Sequence, residues 1–299
     1  MHLHFSDDNR IFNIHTEGIP YLSFDRLDRL GVPNLFTTRF LSYDPETEQG
    51  RTGLRVAVMP FEDKREASRI VRANRETLAR QLGTTLEMEC ITDQKHTNHV
   101  IVAAREDLGL RDKPPHMQNV DGIVTDMPDV VLTVFGGDCP SVFLADPVRR
   151  AFGLVHAGWK GTLGRIPEVA VQKMVQAFGC DPKDFVCAIG PGICQDCYEM
   201  GDEVYDLFAR EWSREEADRI FARYPAIDPD GTPIPGGKYH LDLRAANRMT
   251  LLRAGIREEQ ITVANLCTMC NVETFYSYRA GRMENEQAAM LVNRFDAAP

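Results

Sequence analysis

No run of apolar residues in this 299-residue chain is long enough to cross a bilayer, and no cluster of Lys and Arg interleaves with aromatics. The first absence argues against a membrane-spanning protein. The second, with a formal net charge of −10, argues against nucleic acid as a partner, because phosphate backbones draw in basic surfaces. The segment Met1-His2-Leu3-His4-Phe5-Ser6-Asp7-Asp8 has neither a basic n-region nor an apolar h-region, so a cytoplasmic location is expected. Internal repeats and low-complexity tracts are also missing. Histidine is scarce: of eight, His2, His4 and His15 fall in the unpatterned first fifteen residues.

What is present is ordinary globular composition, 43% hydrophobic and 26% charged, which excludes disordered and coiled-coil classes. A chain this long buries a full core without staples. Its eight cysteines therefore read as reduced thiols or metal ligands rather than a disulfide framework. The turn-rich Asp228–Gly237 must be a loop, no linker divides the chain, and residues 1–299 read as one domain.

Glu62 to Leu82 predicts a helix, opened by acidic residues and closed by Gly83. Short β-rich runs follow at Leu86–Ile91, His99–Ala103, Gly122–Thr125, Val130–Phe135, Ser141–Ala145 and Ala151–His156. Helical patterns at Pro167–Phe178, Glu199–Phe208 and Arg244–Ala254 alternate with strand-like Phe185–Ile189, Ile261–Leu266, Thr274–Tyr278 and Ala289–Val292. Clustered strands with flanking helices predict an α+β fold around a large sheet.

Three segments at predicted strand ends concentrate reactive residues: Gln94-Lys95-His96-Thr97-Asn98-His99, Gly136-Gly137-Asp138-Cys139-Pro140 and His156-Ala157-Gly158-Trp159-Lys160-Gly161. His96, Cys139 and His156 together offer two imidazoles and a thiolate, the three-ligand set that leaves a tetrahedral zinc one open position. Each also has a plainer reading, Cys139 as a small buried hydrophobe and His156 as a hydrogen-bonded core histidine. His99 is a rival to His96 but faces the other way on an extended segment. Asp138 is a candidate to fix a histidine tautomer, a general acid, or a turn residue. Gln94 contacts substrate or braces the His96 loop. Two Cys-x-x-Cys pairs, Cys194/Cys197 and Cys267/Cys270, could form a four-cysteine zinc site, but their interval exceeds zinc-ribbon spacing and favours buried, redox-idle thiols. The Gly190-Pro191-Gly192 turn reads as structural.

The ordered set Phe36-Thr37-Thr38-Arg39, Gln94-Lys95-His96, Asp121-Gly122-Ile123-Val124-Thr125-Asp126, Asp138-Cys139-Pro140, Ala145-Asp146-Pro147, His156-Ala157-Gly158-Trp159-Lys160-Gly161, Ala188-Ile189-Gly190-Pro191 and Ser277-Tyr278-Arg279 resembles the multicopper polyphenol oxidase (laccase) domain family. That family is also called purine nucleoside phosphorylase or peptidoglycan editing factor. The resemblance implies a layered α/β/β/α-type sandwich with a large mixed sheet, similar to some cysteine hydrolases. It also implies a zinc site from His96, Cys139 and His156 in a pocket for purine nucleoside and phosphate, with phosphorolysis of adenosine, inosine, guanosine and methylthioadenosine and deamination of adenosine. On that reading Cys139, His156 and Asp138 are catalytic, and Arg39, Arg279 and Arg282 neutralise phosphate by planar two-point hydrogen bonding. Three rivals stay open: a copper oxidase, for which the histidines near the motifs are too few to build a four-copper cluster; a metal-free cysteine hydrolase with Cys139 as nucleophile and His156 as base; and a non-catalytic purine-binding module. Arg39 is followed by Phe40-Leu41-Ser42-Tyr43 where the family often has paired glycines, and Gly136-Gly137 precede Asp138 where alanine is usual.

Overall fold

Period-two burial along the central strands sets the layers. In Ser141–Asp146, Phe143 and Ala145 enter one apolar cluster while Val142 and Leu144 enter another; in Gln287–Val292, Ala289 and Leu291 part in the same way from Ala288, Met290 and Val292. Both faces of these strands are therefore buried, and each sheet needs a covering layer on either side. The computed structural model describes residues 1, 3–44, 46, 47, 49–59, 63–110, 112–228, 231–281 and 284–295.

Two six-stranded mixed sheets result, rather than one large sheet. The first runs, in spatial order, Phe12–His15, Tyr21–Phe24, Asn34–Thr37, Gln287–Val292, Val131–Gly136, Glu89–Ile91. The second runs Ile261–Val263, Val186–Ile189, Ser141–Asp146, Ala151–His156, Gly122–Thr125, Val100–Val102. Their facing sides close on a shared core that includes Phe24, Phe36, Leu132, Phe143, Phe152 and Leu291. The helix Lys64–Gln81, capped by the Asp63 carboxylate on the Arg65 and Glu66 N–H groups, covers the outer face of the first sheet through Leu78. The helices Ile166–Phe178 and Leu243–Arg253 cover the outer face of the second through Ile166, Val171, Met174 and Leu251. The order is helix, sheet, sheet, helix. Among the described residues, no helix is long and apolar enough to cross a membrane.

Several expectations shift. The first half of Leu86–Ile91 is a 3-10 turn, Leu86–Met88, and only Glu89–Ile91 is strand. Glu199–Phe208 divides at Gly201 into a two-residue strand, Glu199–Met200, and the helix Asp202–Glu211, whose first-turn acids face its positive end. Ile261–Leu266 is strand only to Val263. Thr274–Tyr278 is not a strand. The Thr274 and Phe275 N–H groups turn back to the Asn271 carbonyl, and Phe275 and Tyr276 are buried in succession instead of alternating. Glu62 and the Pro229-Asp230 part of the predicted loop lie outside the described residues.

Phe143 is fully buried between the sheets, edge-on to Phe24 at 5.3 Å between ring centroids. Phe143→Ala is expected to cost about 3–5 kcal/mol by opening a cavity there. A shift of the denaturation midpoint worth less than about 1 kcal/mol would contradict this account of the core.

Candidate functional site

The second sheet's registers bring distant segments to one end. Ser141 pairs with His156, Val155 with Gly122, and Val100 with Gly122 on its other side. The residue before Pro140-Ser141 is Cys139, the residue before Gly122 is Asp121, and the loop before Val100 holds His96. All three reach the edge where His156 ends its strand. Val131–Gly136 belongs to the other sheet, so the 137–140 turn crosses between sheets and delivers Cys139.

The ligand atoms of His96, Cys139 and His156 lie within 4.8 Å of one another, and the two imidazoles meet edge-on with centroids 4.8 Å apart. His156 is buried, Cys139 partly buried and His96 exposed, so the trio sits at the floor of a cleft with one side open. His99 is exposed and takes no part, although the segment is a loop and not the extended run expected.

Asp121, fully buried, organises the cluster. Its carboxylate accepts from the N–H groups of Lys95 (3.0 Å), His96 (2.9 Å) and Thr97 (2.7 Å), from the Thr97 hydroxyl (2.9 Å), and from His156 Nδ1 (2.8 Å). A carboxylate offers only acceptors, so Nδ1 carries a proton toward Asp121 and Nε2 is the ring nitrogen left for the cluster. Burial works against the Asp121 charge, but the His156 hydrogen bond and the Thr97 and Lys95 amides outweigh it and hold the carboxyl well below the usual range. Those amides converge because His96 adopts a left-handed backbone, φ 61°, a strained conformation for a non-glycine residue.

Burial alone would push the Cys139 thiol up; His156, then His96, overcome this and bring it down. Burial likewise disfavours charge on His156, but Cys139 and Asp121 more than restore it. A cation would take the place of the Nε2 proton of this charged ring, beside a sulfur already inclined to be thiolate, while Nδ1 keeps its proton on Asp121. Gly158 completes the cradle: a Cβ there would lie 2.8 Å from His96 Cδ2 and 2.9 Å from Cys139 Sγ. The donor chemistry, the held tautomer and the space kept clear by Gly158 all fit a metal ion with three protein ligands.

The other expected residues divide. Asp138 lines the cleft, but its carboxylate accepts from the Thr268 hydroxyl (2.6 Å) and the Arg279 N–H (2.7 Å); the part of tautomer fixer falls to Asp121. The Gln94 amide is paired in both directions with the Phe135 backbone at 2.8 Å, which makes it a brace between loop and sheet. Arg279 lies at the cleft with its guanidinium over the Tyr198 ring and on the Glu199 carbonyl. Arg39 does not line the cleft: it donates to the Val272 carbonyl and stacks over Tyr276. Its expected phosphate role is corrected to bracing that turn. Arg282 lies outside the described residues.

Sequence reasoning placed Asp121, Gly158 and Lys160 within its motifs without giving them a role, and missed Tyr198 and Glu286; all five form or line the site. Asp121 left a signal, a charged residue abutting the β-rich run Gly122-Ile123-Val124-Thr125, whereas nothing in the local sequence marks Glu286.

A sulfur and two imidazoles converge at the end of a sheet, in a helix–sheet–sheet–helix sandwich, as a donor set able to hold a metal ion beside a cleft. The chain belongs to the family described as multi-copper polyphenol oxidoreductase laccase, which matches residues 55–292. A protein named adenosine deaminase RL5, from an unknown prokaryotic organism, is 35% identical over 216 residues, 72% of this chain and 78% of its own. A purine nucleoside phosphorylase of Deinococcus radiodurans is 33% identical over 267 residues, 88% of each chain. The crystal structure of YlmD from Geobacillus stearothermophilus superposes with a TM-score of 0.75 at 28% identity, covering 95% of this chain and 99% of that one.

On the reading that the trio holds zinc, Asp121→Asn should weaken that binding by roughly 10–100-fold, as loss of an outer partner does, read by competition with a chromogenic chelator. Gly158→Ala should exclude the metal while leaving the circular dichroism spectrum unchanged. Full zinc retention by both variants would contradict this geometry.

Proposed function

We propose that this chain is a zinc-dependent purine nucleoside phosphorylase acting on adenosine, inosine, guanosine and methylthioadenosine, with adenosine deamination as a second activity of the same cleft. The observation that carries this reading is the convergence of His96, Cys139 and His156 in a cleft whose lining includes Phe135, Trp159, Tyr198 and Tyr278. It is supported by relatives named for those two reactions.

The cleft measures about 790 Å³, within the range of small-molecule sites, and flat aromatic walls suit a purine ring. His96, Cys139 and His156 would hold zinc, which supplies a Lewis acid to polarise an oxygen of phosphate or water. Lys160 and Arg279, at the cleft, bring positive charge to an incoming phosphate. Phosphorolysis breaks the C1′–N9 bond and forms a C1′–O bond to phosphate, so the departing purine must gain a proton. Glu286 lines the same cleft, and burial pushes its carboxyl above the usual range against the opposing pull of His156 and His96. It is suited to deliver that proton to the purine and recover it from the attacking hydrogen phosphate. Asp138, its carboxylate engaged by Thr268 and Arg279, positions Arg279 instead. Deamination needs the same traffic, from water to the leaving ammonia. A four-copper oxidase would require more imidazoles, and among the described residues only His96 and His156 join this group.

In a phosphate-dependent assay of hypoxanthine release from inosine, His96→Ala and Cys139→Ala are expected to lose more than the roughly 100-fold that removal of an outer partner costs. Undiminished release by either would defeat the proposal. Glu286→Gln is expected to lower kcat by about 10²–10⁴-fold with KM little altered. An unchanged kcat would remove Glu286 from the proton path.

A further inference from the structure

The interval between the two Cys-x-x-Cys pairs, 73 positions from Cys194 to Cys267, argues against a joint site and for buried, redox-idle thiols. The fold overturns that expectation. Val186–Ile189 and Ile261–Val263 are adjacent parallel strands in register, Ile189 beside Val263, and each is followed within four or five residues by its Cys-x-x-Cys turn. Parallel neighbours carry their following loops to the same end of the sheet, so sequence distance no longer measures separation. Cys194, Cys197, Cys267 and Cys270 come together with all four sulfurs within 4.8 Å of one another.

From this juxtaposition we infer a second metal centre, a structural zinc held by the thiolates of Cys194, Cys197, Cys267 and Cys270. Zinc–sulfur bonds of about 2.3 Å in a tetrahedron place neighbouring sulfurs about 3.8 Å apart. The Cys197–Cys270 and Cys194–Cys270 separations are 3.6 Å and 4.0 Å, on either side of that value and far from the roughly 2.05 Å of a disulfide. The backbone is arranged for thiolates as well: the N–H groups of Cys194 (3.2 Å) and Cys270 (3.4 Å) both point at Cys267 Sγ. An all-sulfur set with no open position is the structural kind, unlike the three-ligand cluster in the cleft.

Its position gives it work to do. The chain between the two turns builds its own apolar cluster, with Tyr205, Phe208, Phe221 and Leu241, and Cys194, Cys197 and Cys267 pack on the same cluster. The metal would tie off the base of that inserted segment. Both turns also touch the cleft: Tyr198, next to Cys197, lines it, and Thr268, next to Cys267, donates to Asp138. Loss of the metal would therefore loosen one wall of the cleft.

Metal content and thiol count test this without reference to turnover. Protein purified without added metal should carry two zinc ions per chain, and Cys139→Ala should retain one. X-ray absorption of that variant should show four sulfurs at about 2.3 Å. Adding Cys270→Ser, at an exposed position, should remove the remaining zinc, and Cys270→His, which still offers a ligand, should restore it. Cobalt in place of zinc should give a thiolate charge-transfer band whose intensity survives Cys139→Ala and falls with Cys270→Ser. A metal-free Cys139→Ala protein, a zinc content indifferent to Cys270→Ser, or disulfides among the four cysteines in the purified full chain would each overturn the inference. If Cys270→Ser fails to fold, the absorption spectrum of Cys139→Ala still decides.

Discussion

A buried carboxylate holding five donors is the constraint on which the site depends. Isolated in the interior, the Asp121 charge would be costly; surrounded by Lys95, His96 and Thr97 amides, the Thr97 hydroxyl and His156 Nδ1, it is stabilised and becomes a fixed point. One group thereby sets both the curvature of the loop that carries His96 and the tautomer of His156. The two imidazoles cannot be placed independently, and the ligand geometry follows from a single side chain that would never touch the metal.

The second constraint is the passage between sheets. Val131–Gly136 lies in one sheet and Ser141–Asp146 in the other, joined by a four-residue turn that carries Asp138 and Cys139. Asp138 fastens this turn to Thr268 and Arg279, and so to the region of the four-cysteine cluster. The two proposed metal centres thus share a wall, and rigidity at one reaches the other through a short series of hydrogen bonds. Coupling of this kind suits the proposed function, in which the cleft holds a purine, a phosphate and a proton donor in one arrangement.

Much of this was legible along the chain. Gly122–Thr125 and Ala151–His156 appear with the bounds expected, because strands of β-branched and apolar residues bounded by Gly, Asp and Pro leave little ambiguity. The convergence of His96, Cys139 and His156 was foreshadowed by residue type and by position at strand ends. What could not be read was whatever depends on pairing. Tyr21–Phe24 and Asn34–Thr37 are four residues each and buried throughout, so neither alternates to announce itself. Arg39 reads as a phosphate ligand until the turn at Val272 is seen to occupy it. Glu286 enters the cleft only because the last strand lies beside Val131–Gly136. The cysteine pairs misled for the same reason, since spacing rules for zinc sites assume that ligands near in space are near in sequence.

The central claim is that His96, Cys139 and His156 enclose one metal ion whose open side faces the cleft. Zinc-edge anomalous diffraction from crystals of protein purified without added metal tests it most directly. A peak about 2.0–2.3 Å from a ring nitrogen of each histidine and from Cys139 Sγ is the result expected. Active protein whose anomalous map is flat between those three side chains would contradict it.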